Sequence, residues 1–170
     1  MCAECGFDWS AGPTEVTAMI EQFGDLYRQR LSTFRFGSAG VDLARIRPHP
    51  RVWSALEYTV HFCDVVAFYS DRIDRIVTKD RPRLAAVDFA MKAETDGYQN
   101  RDLDATMASL AETTDSAATR LRGLVEGDWK RKGIGSGGDD RSVLDLARRL
   151  AHDGHHHLID LDRVLIALSI

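Results

Sequence analysis

The chain has 170 residues, 44 % of them hydrophobic and 28 % charged, which is enough for one domain that buries roughly 70 % of its unfolded surface. This composition excludes a disordered or collagen-like chain. With 22 Lys and Arg against 26 Asp and Glu the net charge is −4, which argues against nucleic acid as a partner, because such binders carry a basic surplus. No apolar run approaches the ~18–20 residues of a membrane span, so no membrane partner is expected. The opening Met1-Cys2-Ala3-Glu4-Cys5 lacks the charged-then-apolar pattern of a leader. Three cysteines are too few for a disulfide scaffold, and a reducing, cytoplasmic setting is expected.

Helical periodicity dominates, and sustained strand alternation is absent. A first helix should start after Pro13-Thr14-Glu15, carry Val16, Ile20, Phe23, Tyr27, Leu31 and Phe34 on one face, and end near a loop at 37–40. A second, over about 51–77, is apolar on nearly every side and should be central. Residues 78–101 read as a loop with a short helix around 84–93. Asp102 or Asp104 can cap a third long helix that stops before Gly127. A glycine-rich loop at 133–138 precedes a fourth helix over about 142–168. These elements predict an all-α four-helix bundle with long crossover connections. Residues 1–170 form a single helical domain in this reading, with an N-terminal Cys-x-x-Cys tail over 1–12.

Four of the six histidines crowd into His152-Asp153-Gly154-His155-His156-His157, and His61 sits within the apolar second helix. Imidazole suits zinc, nickel and iron, and two donors four apart on a helix share a face. A donor from a second helix then completes a three-ligand site with open positions, as a catalytic metal requires. At ~100° per residue, His157 and Asp153 fall on the flank of the apolar face centred on Val143, Ala147, Leu150 and Leu161, whereas His152 and His156 fall nearer solvent. Asp153 with His157 is therefore the preferred inner pair, although His152 with His156 is the more obvious one by eye.

The segments Trp53-Ser54-Ala55-Leu56-Glu57-Tyr58-Thr59-Val60-His61-Phe62-Cys63-Asp64, Gly127-Asp128-Trp129-Lys130-Arg131 and His156-His157-Leu158-Ile159-Asp160-Leu161 resemble the DinB-like family of metal-binding four-helix bundles. That family includes thiol-dependent S-transferases and the mycothiol-dependent maleylpyruvate isomerase. The resemblance covers nearly the whole chain and implies His61, Asp153 and His157 as ligands of a divalent metal, zinc or nickel. Aspartate at 153 departs from the longer histidine or glutamate usual in the family. The resemblance further implies a low-molecular-weight thiol such as mycothiol as cosubstrate, a small electrophile as substrate, and a detoxifying transferase or isomerase. It is also compatible with a homodimer. Glu57, one turn before His61, is a candidate to orient that ring; the alternative for it is a capping or surface carboxylate. Trp53, Trp129 and Phe68 are candidates to line the cavity, with plain core as the alternative. Lys130-Arg131-Lys132 is either a binding site for the thiol's polar end or a solvated loop.

Cys2-Ala3-Glu4-Cys5-Gly6 is half a zinc knuckle: two thiols at the spacing of a tetrahedral site, followed by a glycine. His152 and His156 could supply its missing half as a second, structural metal site. A flexible reduced tail, a redox pair and delivery of one cysteine to the main metal are the alternatives. Cys63 reads as inert core. Two other classes of function compete with the enzyme: a non-catalytic metal-binding or metal- or redox-sensing bundle, and a structural bundle that binds a partner.

Overall fold

Local capping chemistry sets where the long helices begin. The computed structural model describes residues 1–34 and 42–168. Pro13, whose missing N–H costs nothing in a first turn, opens α1 (Pro13–Phe34). Ser54 caps α2 (Ala55–Thr78): its hydroxyl accepts from the Glu57 amide, and the Glu57 carboxylate accepts from the Ser54 amide at 2.9 Å. That reciprocal pair is a capping box, and it places the start four residues after the predicted 51. Residues before it form a turn closed by Val52 N–H donating to His49 O at 2.9 Å. Asp88 caps the short α3 (Phe89–Thr95), which lies later than the predicted 84–93. Asp102, rather than Asp104, caps α4 (Leu103–Arg122), accepting from the Ala105 amide at 2.8 Å.

After the short α5 (Glu126–Lys130) comes an unforeseen antiparallel hairpin, β1 (Lys132–Ile134) with β2 (Asp140–Ser142), in which Lys132 faces Ser142 and Ile134 faces Asp140. Of the predicted glycine-rich loop at 133–138, Gly133 and Ile134 lie in β1 and the rest forms the tip of this hairpin. Ser142 then caps α6 (Val143–Ala167) through a second capping box with Asp145. Arg131 ties the hairpin to the end of α2, its Nε donating to Ile76 O at 2.9 Å and Nη2 to Lys79 O at 3.0 Å. Carbonyls at a helix C-terminus lack intrahelical partners and take such donors readily. The predicted loop at 37–40 lies outside the described residues.

The chain is a four-helix bundle of α1, α2, α4 and α6. Helix α1 packs on α4 and α6, and α2 packs on the same two. Successive long helices α1 and α2 therefore occupy diagonal corners, as do α4 and α6, and the connections cross the bundle ends. One apolar core runs from Phe7 to Val164. At Gly154 on α6 the packing leaves no space for a side chain: an added Cβ would lie 2.5 Å from Phe62 Cζ and 2.6 Å from Phe23 Cε2. Glycine costs ~1 kcal/mol of helix propensity relative to alanine, but here it lets α6 settle onto two aromatic rings. Tyr27 Oη donates to Gly154 O at 3.1 Å across the same contact, which sets the rotation of α6 beside the histidine cluster. Among the described residues no helix is long and apolar enough to cross a membrane.

Candidate metal centre

Helices α2 and α6 bring His61 and His157 face to edge, with ring centroids 4.9 Å apart. His61 is buried, and its Nδ1 has no hydrogen-bond partner. Burial, reinforced by the nearby His157, pushes its pKa down to about 3, so the ring is neutral at pH 7 and keeps a lone pair. His157 Nδ1 lies 2.9 Å from Asp160 Oδ2. A carboxylate there accepts from Nδ1–H and leaves Nε2 as the free donor atom. Burial alone would raise Asp160, but its bond to His157, the charges of His157 and His156, and Arg163 outweigh burial and hold it below the usual carboxylate range. Asp160 is a residue that the sequence reading missed as functional. Its signal was an acid three positions after His157 in an otherwise apolar run.

Aromatic rings wall this pair. Trp53 and Phe89 stand 5.1 and 4.9 Å from His61, and Tyr58 stands 5.3 Å from His157. Trp53 was expected here, whereas Phe89 and Tyr58 were not. Phe68 is one layer back, 5.1 Å from Phe89 and capped by the Arg72 guanidinium. Trp129 lines a separate cleft between α1 and the end of α4, with Thr17, Glu21 and Leu121, so it is not part of the wall. The basic trio is likewise occupied elsewhere: Lys130 pairs with Glu126 and Lys132 with Asp140, and Arg131 holds backbone carbonyls.

Glu57 does not orient His61. Its oxygens are taken by the Ser54 amide and hydroxyl and by the Arg47 guanidinium, whose Nε donates at 2.8 Å. Burial opposes its ionisation, but these partners keep its pKa below the ordinary value. The reason is geometric: as the third residue of the helix it serves the cap, and its side chain turns back toward the N-terminus. Asp153 lies one turn before His157, with Oδ1 3.2 Å from His152 Nδ1, and among the described residues its carboxylate does not converge with His61 and His157 to within 4.8 Å of one another. Burial raises its pKa above the usual carboxylate range.

A second constellation lies beside the first. Among the described residues, one group of at least three His, Cys, Asp or Glu donors has all its ligand atoms within 4.8 Å of one another. It consists of Cys2, Cys5, His152 and His156. The neighbouring His152 ring, with the backbone amides of Cys5 and Glu4, holds the Cys2 thiol down to about 6, whereas burial raises Cys5. Cys63 is pushed up to about 12 by burial, as an inert core thiol would be.

The sequence model of the DinB superfamily matches residues 20–161. The chain belongs to the DinB superfamily. No functionally curated protein matches it in sequence. Among solved structures it is similar to YfiT from Bacillus subtilis, described as a probable metal-dependent hydrolase with an unusual four-helix bundle topology. The TM-score is 0.80 at 15 % identity, over 92 % of this chain and 87 % of that one. It is also similar to the mycothiol-dependent maleylpyruvate isomerase, with a TM-score of 0.68 at 13 % identity, over 89 % of this chain and 61 % of the other. Both likenesses concern the fold.

Proposed function

We propose that this DinB-superfamily chain is a divalent-metal-dependent enzyme that uses a low-molecular-weight thiol, of the mycothiol kind, in a transfer to or isomerisation of a small electrophile. One observation carries the reading: His61 Nδ1 is buried without a partner, in a ring 4.9 Å from that of His157. A neutral buried imidazole facing a second, carboxylate-oriented imidazole fits zinc or nickel. Asp153, one turn before His157 on α6 and turned to His152 in this structure, is the proposed third donor, its buried carboxylate being one that a cation would relieve. Three protein donors leave a coordination position open.

A divalent ion held there stabilises the anionic form of a thiol or water, so that a nucleophile exists at neutral pH. The protein's own residues do the rest. Asp160 holds His157 in the tautomer that offers Nε2. Trp53, Tyr58 and Phe89 keep bulk water from the pair and leave an apolar approach for an electrophile. Trp53 also lines a cleft of about 460 Å³ with Arg47, Arg51, Glu94 and Tyr98, which has room and charge for the polar end of a cosubstrate.

The descriptions of the two structural neighbours agree with this reading. A hydrolytic reaction is the second reading, favoured by the description of YfiT, and a requirement for thiol separates the two. The test is turnover by metal-loaded protein with mycothiol and a chromogenic electrophile. We expect His61→Ala and His157→Ala each to lose about one equivalent of metal and most activity, and His155→Ala to keep both. Retention of metal and turnover by the first two variants overturns the reading.

A further inference from the structure

The reaction proposed above leaves the cysteines of the N-terminal segment without a role, yet the fold aims them at α6. Cys2 and Cys5 flank a turn closed by Gly6 N–H donating to Cys2 O at 2.9 Å and Cys2 N–H donating to Phe7 O at 2.8 Å. Gly6 has φ +72°, a left-handed conformation that glycine adopts without strain. The turn brings both sulfurs within 4.8 Å of ring nitrogens of His152 and His156, which stand one turn apart on α6. His152 Nε2 and His156 Nδ1 are buried and have no hydrogen-bond partner. Two orphaned nitrogens beside two thiols are unfavourable as they stand, and a soft-tolerant cation satisfies all four.

The other ring nitrogens face carboxylates, the usual neighbours of metal-bound histidines. His152 Nδ1 is 3.2 Å from Asp153 Oδ1, and His156 Nε2 is 3.5 Å from Glu4 Oε2 and 4.0 Å from Asp160 Oδ2. Around the cluster, His155 Nε2 lies 2.9 Å from Cys5 O. Trp9 stacks on His152 at 4.6 Å, and buried Phe7 meets the same ring edge-on at 5.5 Å.

We propose that Cys2, Cys5, His152 and His156 hold a zinc ion in a closed Cys₂His₂ site that staples the N-terminal segment to α6. Two thiolates balance the charge of the ion, and their protons leave to solvent on binding. Four protein donors complete a tetrahedron and leave no position for substrate, so the site is structural. Its influence reaches the first pair through Asp160, whose Oδ2 lies 2.9 Å from His157 Nδ1 and 4.0 Å from His156 Nε2: fixing His156 helps fix the carboxylate that holds His157.

The test uses the full-length chain, its zinc content and its spectrum after replacement by cobalt. Cys2→Ser with Cys5→Ser should lower zinc by about one equivalent and remove the thiolate-to-cobalt charge-transfer absorption. His61→Ala with His157→Ala should keep that absorption, so failure of this site and failure of the first pair are read separately. In the wild-type chain, chelation should lower the melting temperature and expose two further thiols to a thiol reagent. Cobalt bound without charge-transfer absorption in the wild type overturns the proposal, whether or not the serine variant folds. So does finding Cys2 and Cys5 joined as a disulfide after anaerobic purification.

Discussion

His157 Nδ1 and Asp160 Oδ2 lie 2.9 Å apart on one face of α6, so the ring that faces His61 is held by an acid from its own helix. Removing that acceptor should leave the ring free to rotate and to adopt the other tautomer. We expect Asp160→Asn to weaken metal binding at the first pair about 10–100-fold, measured by competition with a chromophoric chelator. Affinity equal to wild type would show that Asp160 does not orient the ring.

Glu57 tests a different assignment. Only 2 % exposed, it both caps α2 and pairs with Arg47, which is 35 % exposed. Glu57→Ala should cost about 2–4 kcal/mol in urea denaturation, the sum of a lost cap and a broken half-buried pair. Metal content at His61 and His157 should not change, because no Glu57 oxygen reaches either ring. A stable variant that has lost metal would restore the orienting role.

Gly154→Ala should destabilise although it raises helix propensity. The new methyl would sit 2.5 Å from Phe62 Cζ and 2.6 Å from Phe23 Cε2, and both rings are buried in the core. Overpacking of this kind costs about 1–3 kcal/mol, against ~1 kcal/mol gained from propensity. A lower melting temperature is expected, with weakened metal binding as α6 is pushed off the core. A melting temperature above wild type would mean that the rings yield.

The pH dependence follows from His61. Its pKa falls from the ordinary 6.5 to about 3 in the folded chain, so between those values the unfolded chain binds a proton that the folded chain refuses. Its contribution to stability is complete above pH 6.5 and is lost as pH falls toward 3, at up to about 1.4 kcal/mol per pH unit. In metal-free protein, the decline in stability from pH 6.5 to 4 should be shallower for His61→Gln than for wild type. Parallel curves would show that residue 61 does not titrate with unfolding.

The legible parts of the structure were those carried by neighbours in sequence. Val16, Ile20, Phe23 and Tyr27 mark a helix by spacing alone. The Ser54-to-Glu57 capping box could have corrected the start of α2, since its two members are only three residues apart. The hairpin at Lys132–Ile134 and Asp140–Ser142 escaped because three-residue strands are too short to show alternation.

By itself, then, the sequence determined four long helices and the presence of imidazoles on two of them, because helical periodicity is an interaction within a few residues. Only the tertiary structure decided that α1 and α2 stand on the diagonal, that Asp160 rather than Glu57 serves the histidine pair, and that Asp153 turns to His152. It also set Cys5 against His155, 150 residues away. Contacts of that kind depend on how far each helix is rotated about its axis and on which chain end folds back, and those are set by core packing such as the Gly154 contact with Phe23 and Phe62, not by local spacing.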